Sequence, residues 1–291
     1  MTQDVKYEAS EQRFIRSRVT QGCTLDAVRS DLASMGWHPE SIRRAVDRFA
    51  AGGPAESGPP RPRPEPDLDR LPTQLCLDGH EVQVQLRIHH PRVCLLSNFL
   101  SASECAELIE QSRPRMERSR VIVGDGEVDE DGVLAYSRTS DQATIQRGAS
   151  ELVDRIQRRV ALLTRWPEDC MESAQIVRYR TGADFAPHHD FFCPDAHKDL
   201  IAREGQRVGT VLMYLNTPAS GGATAFPDVE LEVYPQQGNA LFFGYPHAHA
   251  DSLTMHAGVP LGSAEKWIAT FFLRDRAVGL QKDGGHPQGA V

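Results

Sequence analysis

The stretch of sequence that decides the fold is Tyr179-Arg-Thr-Gly-Ala-Asp-Phe-Ala-Pro-His188-His189-Asp190, together with the later segment Thr254-Met-His256-Ala-Gly258 and Lys266. His188 and Asp190 stand two residues apart. On a strand, two such side chains share one face and lie roughly 6.6 Å apart along the backbone. One metal ion could then bind both. Because His256 is distant in sequence, a folded sheet must bring it beside the pair.

Two imidazoles and one carboxylate on one side of a metal leave the opposite positions open, as in non-haem Fe(II) oxygenases. Neither the ligand set nor the spacing is typical of a closed structural zinc site. Between His256 and Lys266, the turn residues Gly258, Pro260 and Gly262 allow the chain to double back. A lysine near the metal could bind the far carboxylate of a dicarboxylic acid, while the near end of that acid chelates the iron.

These motifs belong to an ordered set that resembles the prolyl 4-hydroxylase family of Fe(II)/2-oxoglutarate dioxygenases over roughly residues 85 to 275. The set comprises Tyr179, Pro187-His188-His189-Asp190, Arg207-Val-Gly-Thr210-Val-Leu-Met-Tyr214-Leu-Asn216, Gly221-Gly222-Ala-Thr224-Ala-Phe-Pro227, Gly238-Asn-Ala-Leu-Phe242, His256-Ala-Gly258 and Lys266-Trp267-Ile268. A single His-x-Asp motif is weak evidence, whereas the ordered set is specific.

The resemblance implies a role for each matching residue. It implies that His188, Asp190 and His256 bind Fe(II), that Lys266, Tyr179 and Thr224 hold 2-oxoglutarate, and that Arg207 lies on the substrate side. A lysine at this distance from the last histidine resembles the prolyl branch. In the family, O2 converts 2-oxoglutarate to succinate and CO2 while an unactivated substrate carbon is hydroxylated. L-ascorbate is a further cofactor that the resemblance suggests.

Two residues on the substrate side depart from the family pattern. Phe185 stands where its prolyl hydroxylases usually have a tyrosine that reaches the target proline, and Phe272 replaces a tryptophan that packs on the substrate. Neither change affects the metal or 2-oxoglutarate. The resemblance therefore predicts a dioxygenase that hydroxylates a prolyl residue in a protein or peptide. The alternatives are a hydroxylase of a free amino acid or other small metabolite, and an inactive jelly roll used as a binding adaptor.

Composition restricts the setting in which the chain acts. The formal net charge of −8 argues against broad nucleic-acid binding, and no apolar run approaches the roughly 20 residues that span a bilayer. The first residues lack the basic and then apolar order of a signal peptide. The six cysteines show no metal-binding spacing, so we expect reduced thiols and a cytoplasmic location. The sequence indicates no oligomeric state.

The chain divides at a proline- and glycine-rich stretch, which predicts a linker over residues 51–72. Residues 1–50 carry three helical patterns and predict a small all-α module. That module is either a stabilising appendage or a segment that recruits a substrate or partner. Residues 73–276 are predicted to form the dioxygenase domain, and residues 277–291 a flexible tail.

The predicted fold class is α+β, mainly β, with a double-stranded β-helix (jelly roll) flanked by helices. Ser101-Ala-Ser-Glu104 is a capping box that predicts a helix start, and a second helix is expected over residues 150–165. Short strands follow at intervals that suit a two-sheet jelly roll. They are expected at 93–96, 176–180, 208–215, 231–234, 240–243 and 267–273.

Several other patterns resemble metal sites. The acidic segment 124–132 lacks the glycine and glutamate positions of an EF-hand and predicts a mobile loop. His247 and His249 also stand two residues apart, but the family pattern places them in a loop before His256. His189 is expected to point away from His188, and Cys193 is expected to be a nearby thiol rather than a ligand.

Overall fold

The structure, a computed structural model, describes residues 15, 18–19, 23–34, 39–50, 63–68, 72–119, 121–123, 127–129 and 139–279. The chain divides into two compact units, residues 1–62 and 63–291. Within the described ranges, no helix has the length and apolar character needed to cross a bilayer.

Helices and strands are numbered in chain order. The helices are α1 Leu25–Ser34, α2 Pro39–Ala50, α3 Ala102–Ser112, α4 Glu151–Thr164 and α5 Lys198–Glu204. The strands are β1 Gln74–Leu77, β2 His80–Ile88, β3 Arg92–Ser97, β4 Glu117–Arg118, β5 Val121–Val123, β6 Glu127–Asp129, β7 Asp141–Ile145, β8 Ala174–Arg180, β9 Phe185–His188, β10 Arg207–Tyr214, β11 Thr224–Phe226, β12 Leu231–Val233, β13 Ala240–Gly244, β14 His256–Gly258 and β15 Glu265–Arg274.

In the first unit, the described residues include α1 and α2, which correspond to the second and third predicted helices. Their apolar side chains form a small buried cluster: Ile15, Val28, Leu32, Ile42 and Val46. Most of the segment expected to form the first helix lies outside the described residues. The three-helix module therefore stays a prediction.

The second unit is built on two antiparallel sheets, which confirms the mainly β prediction. The larger sheet has nine strands in the order β1-β2-β3-β13-β10-β15-β8-β7-β4, and the smaller has four in the order β12-β11-β14-β9. Side chains alternate between the faces of β10: Val211 and Met213 join the core beneath α3 and α4, whereas Leu212 and Tyr214 face the core shared with the smaller sheet. The functional side chains are held on this second face.

The limits of the second unit differ from the expected domain limits. Pro64, Pro66 and Leu68, which lie in the predicted linker, are partly or fully buried, and the Glu65 amide donates to the carbonyl oxygen of Thr164 at 2.9 Å. Residues 63–68 therefore pack on the second unit, whereas 51–62 lie outside the described residues. In the predicted tail, the amide of Val278 donates to the carbonyl oxygen of Asp169 at 2.7 Å, and residues 280–291 are not described.

The two predicted helices and the six predicted strands are present, but several elements were not expected. β6 lies inside the segment 124–132 that was predicted as an acidic loop, and it pairs antiparallel with β5, which precedes that segment; residues 124–126 and 130–138 lie outside the described residues. The strand expected to carry both His188 and Asp190 ends at His188. The prediction that a strand holds Asp190 is therefore wrong, because the ladder with the neighbouring strand stops at the histidine.

The capping box at the start of α3 is confirmed and extends into a buried ion pair. Ser101 accepts a hydrogen bond from the Glu104 amide, and the Glu104 carboxylate accepts one from the Ser101 amide. The Glu104 carboxylate also accepts two bonds of 3.0 Å from Arg159 of α4. Burial opposes ionisation of Glu104, but Arg159 lowers its pKa to about 2. This ion pair joins α3 to α4.

We expect Glu104→Gln to lower the free energy of unfolding by about 3 kcal/mol, because Arg159 would remain buried without its charge partner. The folded-state pKa lies below the unfolded value, so this stability is present above about pH 4.5 and is lost as the pH falls toward about 2. Urea unfolding at neutral and acidic pH measures both effects. The exposed Glu107→Gln change in the same helix is the control and should shift the free energy by less than about 0.5 kcal/mol.

Candidate metal centre

The two sheet histidines are brought together by strand pairing. His188 ends β9 and His256 begins β14, and the two are direct cross-strand partners with ring centroids 4.3 Å apart. Asp190 lies just beyond β9, with its Oδ1 3.5 Å from His188 Nε2 and its Oδ2 3.8 Å from His256 Nε2. One ligand atom from each of the three residues lies within 4.8 Å of the others. In the described part of the chain, this is the one group of three His, Cys, Asp or Glu side chains with such spacing.

Both imidazole rings present the same nitrogen to this centre. His188 Nδ1 lies 2.8 Å from the carbonyl oxygen of Ala186, and His256 Nδ1 lies 3.1 Å from that of Thr254. A carbonyl oxygen only accepts, so each Nδ1 carries the proton and donates it. Each Nε2 then offers a lone pair toward Asp190, which is the arrangement that fixes a histidine as a metal ligand.

The charges of the three groups suit a metal as well. Burial lowers the pKa of His256 to about 4, although Asp190 opposes this shift. Burial alone would raise the pKa of Asp190, but the neighbouring His256 and His188 rings hold it below its ordinary value. At neutral pH the centre therefore contains a neutral His256 and an ionised carboxylate, the protonation states that metal binding requires.

The larger sheet carries a buried ammonium group on β15. Lys266 on β15 is 3% exposed, and its Nζ lies 5.2 Å from the ring centroid of Tyr179 and 5.8 Å from that of Tyr214. Gly222, with a φ of +72°, leaves room for it, since a Cβ there would lie 3.1 Å from Lys266 Cδ. Among the described residues, Lys266 Nζ has no hydrogen bond and no ion pair. Burial lowers its pKa to about 8.

Residues that carry hydroxyl groups lie near Lys266. Tyr179 is the cross-strand partner of Lys266, and the Tyr214 hydroxyl donates to Thr224 Oγ1 at 2.8 Å. Thr224 in turn pairs with Gly258, two residues beyond His256. An unpaired buried ammonium costs free energy, and an anion with two ends could satisfy it while reaching the metal. The chemistry of these side chains therefore suits a small dicarboxylate.

The comparisons with known proteins agree with this geometry. The model of the 2OG-Fe(II) oxygenase superfamily matches residues 174–274. Prolyl 4-hydroxylase 13 of Arabidopsis thaliana is 33% identical over 204 residues, which cover 64% of this chain and 72% of the relative. The chain belongs to the prolyl 4-hydroxylase-like family of 2OG-Fe(II) oxygenases. It is a 2-oxoglutarate/Fe(II) dioxygenase, as the motifs had predicted.

Other relatives are similar over the same part of the chain. Prolyl 4-hydroxylase subunit alpha-1 of Gallus gallus is 34% identical over 64% of this chain, but over only 36% of its own length. Among solved structures, the viral collagen prolyl hydroxylase of Paramecium Bursaria Chlorella virus-1 in complex with 2OG is 28% identical, with a TM-score of 0.49, and covers 62% of this chain and 95% of that one.

The residues of this dioxygenase fit the groups that its family uses. Two histidines and a carboxylate are suitable ligands for Fe(II), and the buried, unpaired Lys266 is suitable for the distal carboxylate of 2-oxoglutarate. Tyr214 was not singled out from the sequence, yet its hydroxyl binds the predicted Thr224. A signal for it was present: Thr210 and Tyr214 are polar residues on one face of the otherwise apolar stretch 208–214 of β10.

The predicted substrate-side residues of the dioxygenase lie in different settings. Arg207 donates from Nε and Nη2 to the two carboxylate oxygens of Glu172, at 2.7 and 2.8 Å, and from Nη1 to the Asp190 carbonyl at 3.2 Å. Its guanidinium covers the Phe272 ring at 3.6 Å. The Phe185 ring stacks on His188 with centroids 3.7 Å apart. Contact of these three residues with a substrate stays a prediction.

The remaining candidate ligands are not part of the centre. His247 and His249 are exposed in the loop between β13 and β14. His189 stacks on Phe191 with ring centroids 4.5 Å apart, and Cys193 is an exposed free thiol. None of them belongs to the group of ligand atoms formed by His188, Asp190 and His256.

We expect the affinity of the metal-loaded dioxygenase for 2-oxoglutarate to fall as the pH rises through about 8. The lowered pKa means that Lys266 is charged below about pH 8 and neutral above it, and only the charged form attracts a carboxylate. Calorimetric titrations with 2-oxoglutarate across this range measure the effect. Lys266→Arg is the control, since its guanidinium stays charged. A constant affinity in the wild type, or an equal fall in the arginine variant, would contradict the expectation.

Proposed function

We propose that this dioxygenase hydroxylates a prolyl residue in a protein or peptide and converts 2-oxoglutarate and O2 to succinate and CO2. Its second unit is proposed to be a double-stranded β-helix whose smaller sheet carries the two histidine ligands, with Asp190 just beyond the end of β9. The observations that carry the proposal are the group formed by His188, Asp190 and His256 and the buried Lys266, whose Nζ has no hydrogen bond and no ion pair among the described residues. A metal site combined with a buried cation that can bind a dicarboxylate suits few reactions other than 2-oxoglutarate-dependent oxygenation.

Each group of residues has a part in the proposed reaction. His188, Asp190 and His256 would hold Fe(II), which when bound supplies the oxygen-activating chemistry. Lys266 would pair with the distal carboxylate of 2-oxoglutarate, and the hydroxyls of Tyr179, Tyr214 and Thr224 would orient it. Because these side chains are buried, they keep water away from the co-substrate. L-ascorbate is proposed as a reductant that maintains Fe(II).

The choice of a prolyl target rests on the relatives and on the surface beside the metal ligands. The relatives are named prolyl 4-hydroxylases. In this chain the Phe185 ring lies on His188, and Arg207 is engaged by Glu172. An uncharged aliphatic ring such as that of proline suits the apolar surface of Phe185. A tyrosine at this position would add a hydroxyl, so the chain is proposed to bind its target without that hydrogen bond.

Two assays test the substrate class. The enzyme is incubated with Fe(II), 2-oxoglutarate and either a library of proline-containing peptides or free L-proline, and succinate and the mass of the product are measured. Peptide-dependent succinate with a gain of one oxygen atom on proline supports the proposal. Turnover of free L-proline alone would replace it with a small-metabolite hydroxylase. Failure of wild-type protein to consume 2-oxoglutarate with any substrate would favour a binding protein instead.

Two further parts of the proposal concern the setting of the enzyme. A cytoplasmic location is proposed because all six cysteines are free thiols, which suits a reducing compartment. The helices of the first unit are proposed to stabilise the chain or to recruit a substrate or partner. Comparing peptide turnover by the full chain and by residues 63–291 separates these two roles, since only recruitment changes the KM for the peptide.

A further inference from the structure

We propose that Thr210 and Tyr245 are positioning residues that fix the orientation of the Asp190 carboxylate for metal binding. The inference rests on the proposed metal site. It adds Thr210 of the larger sheet, and Tyr245 directly after a strand of that sheet, to a centre whose histidines both belong to the smaller sheet. Neither residue was singled out as functional by the sequence, and neither is a metal ligand.

The hydrogen bonds run in one direction. Thr210 Oγ1 donates to Asp190 Oδ2 at 2.7 Å, and it lies 3.0 Å from the hydroxyl oxygen of Tyr245. A threonine hydroxyl has a single proton to donate, and the ionised carboxylate can only accept. Tyr245 must therefore donate to Thr210, which in turn donates to Asp190. The phenol thus acts on the carboxylate through the threonine.

Asp190 needs such support because it lies beyond the end of β9. Its backbone is therefore not held by the strand pairing that positions His188. Thr210, by contrast, lies within β10 and is paired with Phe243 on one side and Phe272 on the other. Tyr245 follows β13 directly, and its amide donates to the carbonyl oxygen of Val208 at 3.2 Å. The hydrogen-bond chain therefore connects a ligand in an irregular segment to the central strands of the larger sheet.

Burial strengthens the effect of the hydrogen bonds that connect Tyr245, Thr210 and Asp190. Thr210 is 1% exposed and Tyr245 2% exposed, and the Tyr245 ring lies 5.7 Å from that of Phe191 and 6.4 Å from that of Phe243, measured between centroids. Little water can replace a lost hydrogen bond here. With Oδ2 committed to Thr210, Oδ1 keeps all its lone pairs for a metal. Without the bond, the carboxylate could rotate and the metal site would lose its preset shape.

The test measures Fe(II) binding directly, by calorimetry under nitrogen with the full chain. Thr210→Val keeps the shape of the side chain and removes the hydroxyl, and it should weaken Fe(II) binding by about 10–100-fold. Tyr245→Phe should weaken it by a smaller factor, on the order of 3–10-fold, because Thr210 can still donate. Thr210→Ser restores the hydroxyl and should bind Fe(II) within about twofold of the wild type.

The double variant Thr210→Val with Tyr245→Phe separates positioning from general damage to the fold. If Tyr245 acts through Thr210, the second change has no further effect once the first is present. The proposal would be overturned if the losses of Fe(II) affinity in the two single variants multiply in the double variant. Wild-type Fe(II) affinity in Thr210→Val would overturn it as well. If Thr210→Val does not fold, the other two variants decide: wild-type affinity in Tyr245→Phe, or a loss well beyond about twofold in Thr210→Ser, would overturn the proposal.

A further control separates this inference from the proposed function. His188→Ala removes a proposed ligand and should abolish Fe(II) binding. Loss of binding in His188→Ala, combined with wild-type affinity in Thr210→Val and Tyr245→Phe, would overturn the positioning role and leave the metal site standing. Absence of Fe(II) binding in the wild type would overturn both.

Discussion

Replacing Asp190 with alanine is expected to abolish detectable Fe(II) binding and, with it, succinate formation from 2-oxoglutarate. Asp190 is the sole carboxylate of the three-residue group, and the two remaining ligands would be neutral imidazoles. The loss should exceed the roughly 10–100-fold effect of removing a residue that only orients a ligand. Anaerobic Fe(II) titration and a succinate assay measure the two effects in parallel.

A matched control for this variant is His249→Ala. His249 and His247 stand two residues apart, as His188 and Asp190 do. The His249 side chain, however, is 66% exposed and lies outside the ligand group. Fe(II) affinity and succinate formation should both stay at the wild-type level. Unimpaired iron binding in Asp190→Ala, or its loss in His249→Ala, would show that the metal is bound elsewhere.

Replacing Lys266 with methionine should weaken the binding of 2-oxoglutarate by about 100-fold, whereas Fe(II) affinity should stay within about threefold of the wild type. Removing one partner of a buried charge pair costs on the order of 3 kcal/mol, and a tenfold change in affinity corresponds to about 1.4 kcal/mol. Methionine fills a similar volume and carries no charge. The dissociation constant of 2-oxoglutarate for the metal-loaded protein is the quantity to measure.

The same variant should raise the thermal stability of the protein without ligands. Lys266 is buried and makes no ion pair among the described residues, so its charge is costly until an anion arrives. Thermal melts with and without 2-oxoglutarate show whether the stability of the free protein rises while stabilisation by the ligand disappears. A lower melting temperature in the free methionine variant would contradict the idea that the wild-type ammonium is unsatisfied.

The grouping of His188, Asp190 and His256 could be predicted because their chemistry appears in short, ordered motifs. Their binding of Fe(II), and that of 2-oxoglutarate by Lys266, stay predictions. Periodicity also predicted the main helices and strands, such as α4 and β10. By contrast, an alternation of apolar and polar residues cannot show at which residue the pairing with a neighbouring strand ends. The end of β9 at His188, just before Asp190, was therefore missed.

The supporting residues were beyond the reach of sequence reasoning. In the sequence, Thr210 looks like an ordinary β-branched residue of a strand. Its hydrogen bond to Asp190 depends on how the two sheets pack against each other. Tyr245 comes from a third segment of the chain. The contact of Arg207 with Glu172 likewise joins residues that are distant in sequence and carry no shared motif. Burial without a partner, as for Lys266, also emerges only from the folded chain.

A reaction under oxygen-18 gas with Fe(II), 2-oxoglutarate and a proline-containing peptide is the decisive measurement of the proposed chemistry. Mass spectrometry of both products follows the label. We predict one labelled atom in succinate and one on a prolyl residue of the peptide, with neither product formed by Asp190→Ala. Unlabelled products, or wild-type protein that leaves 2-oxoglutarate intact in the presence of every peptide tried, would contradict this prediction.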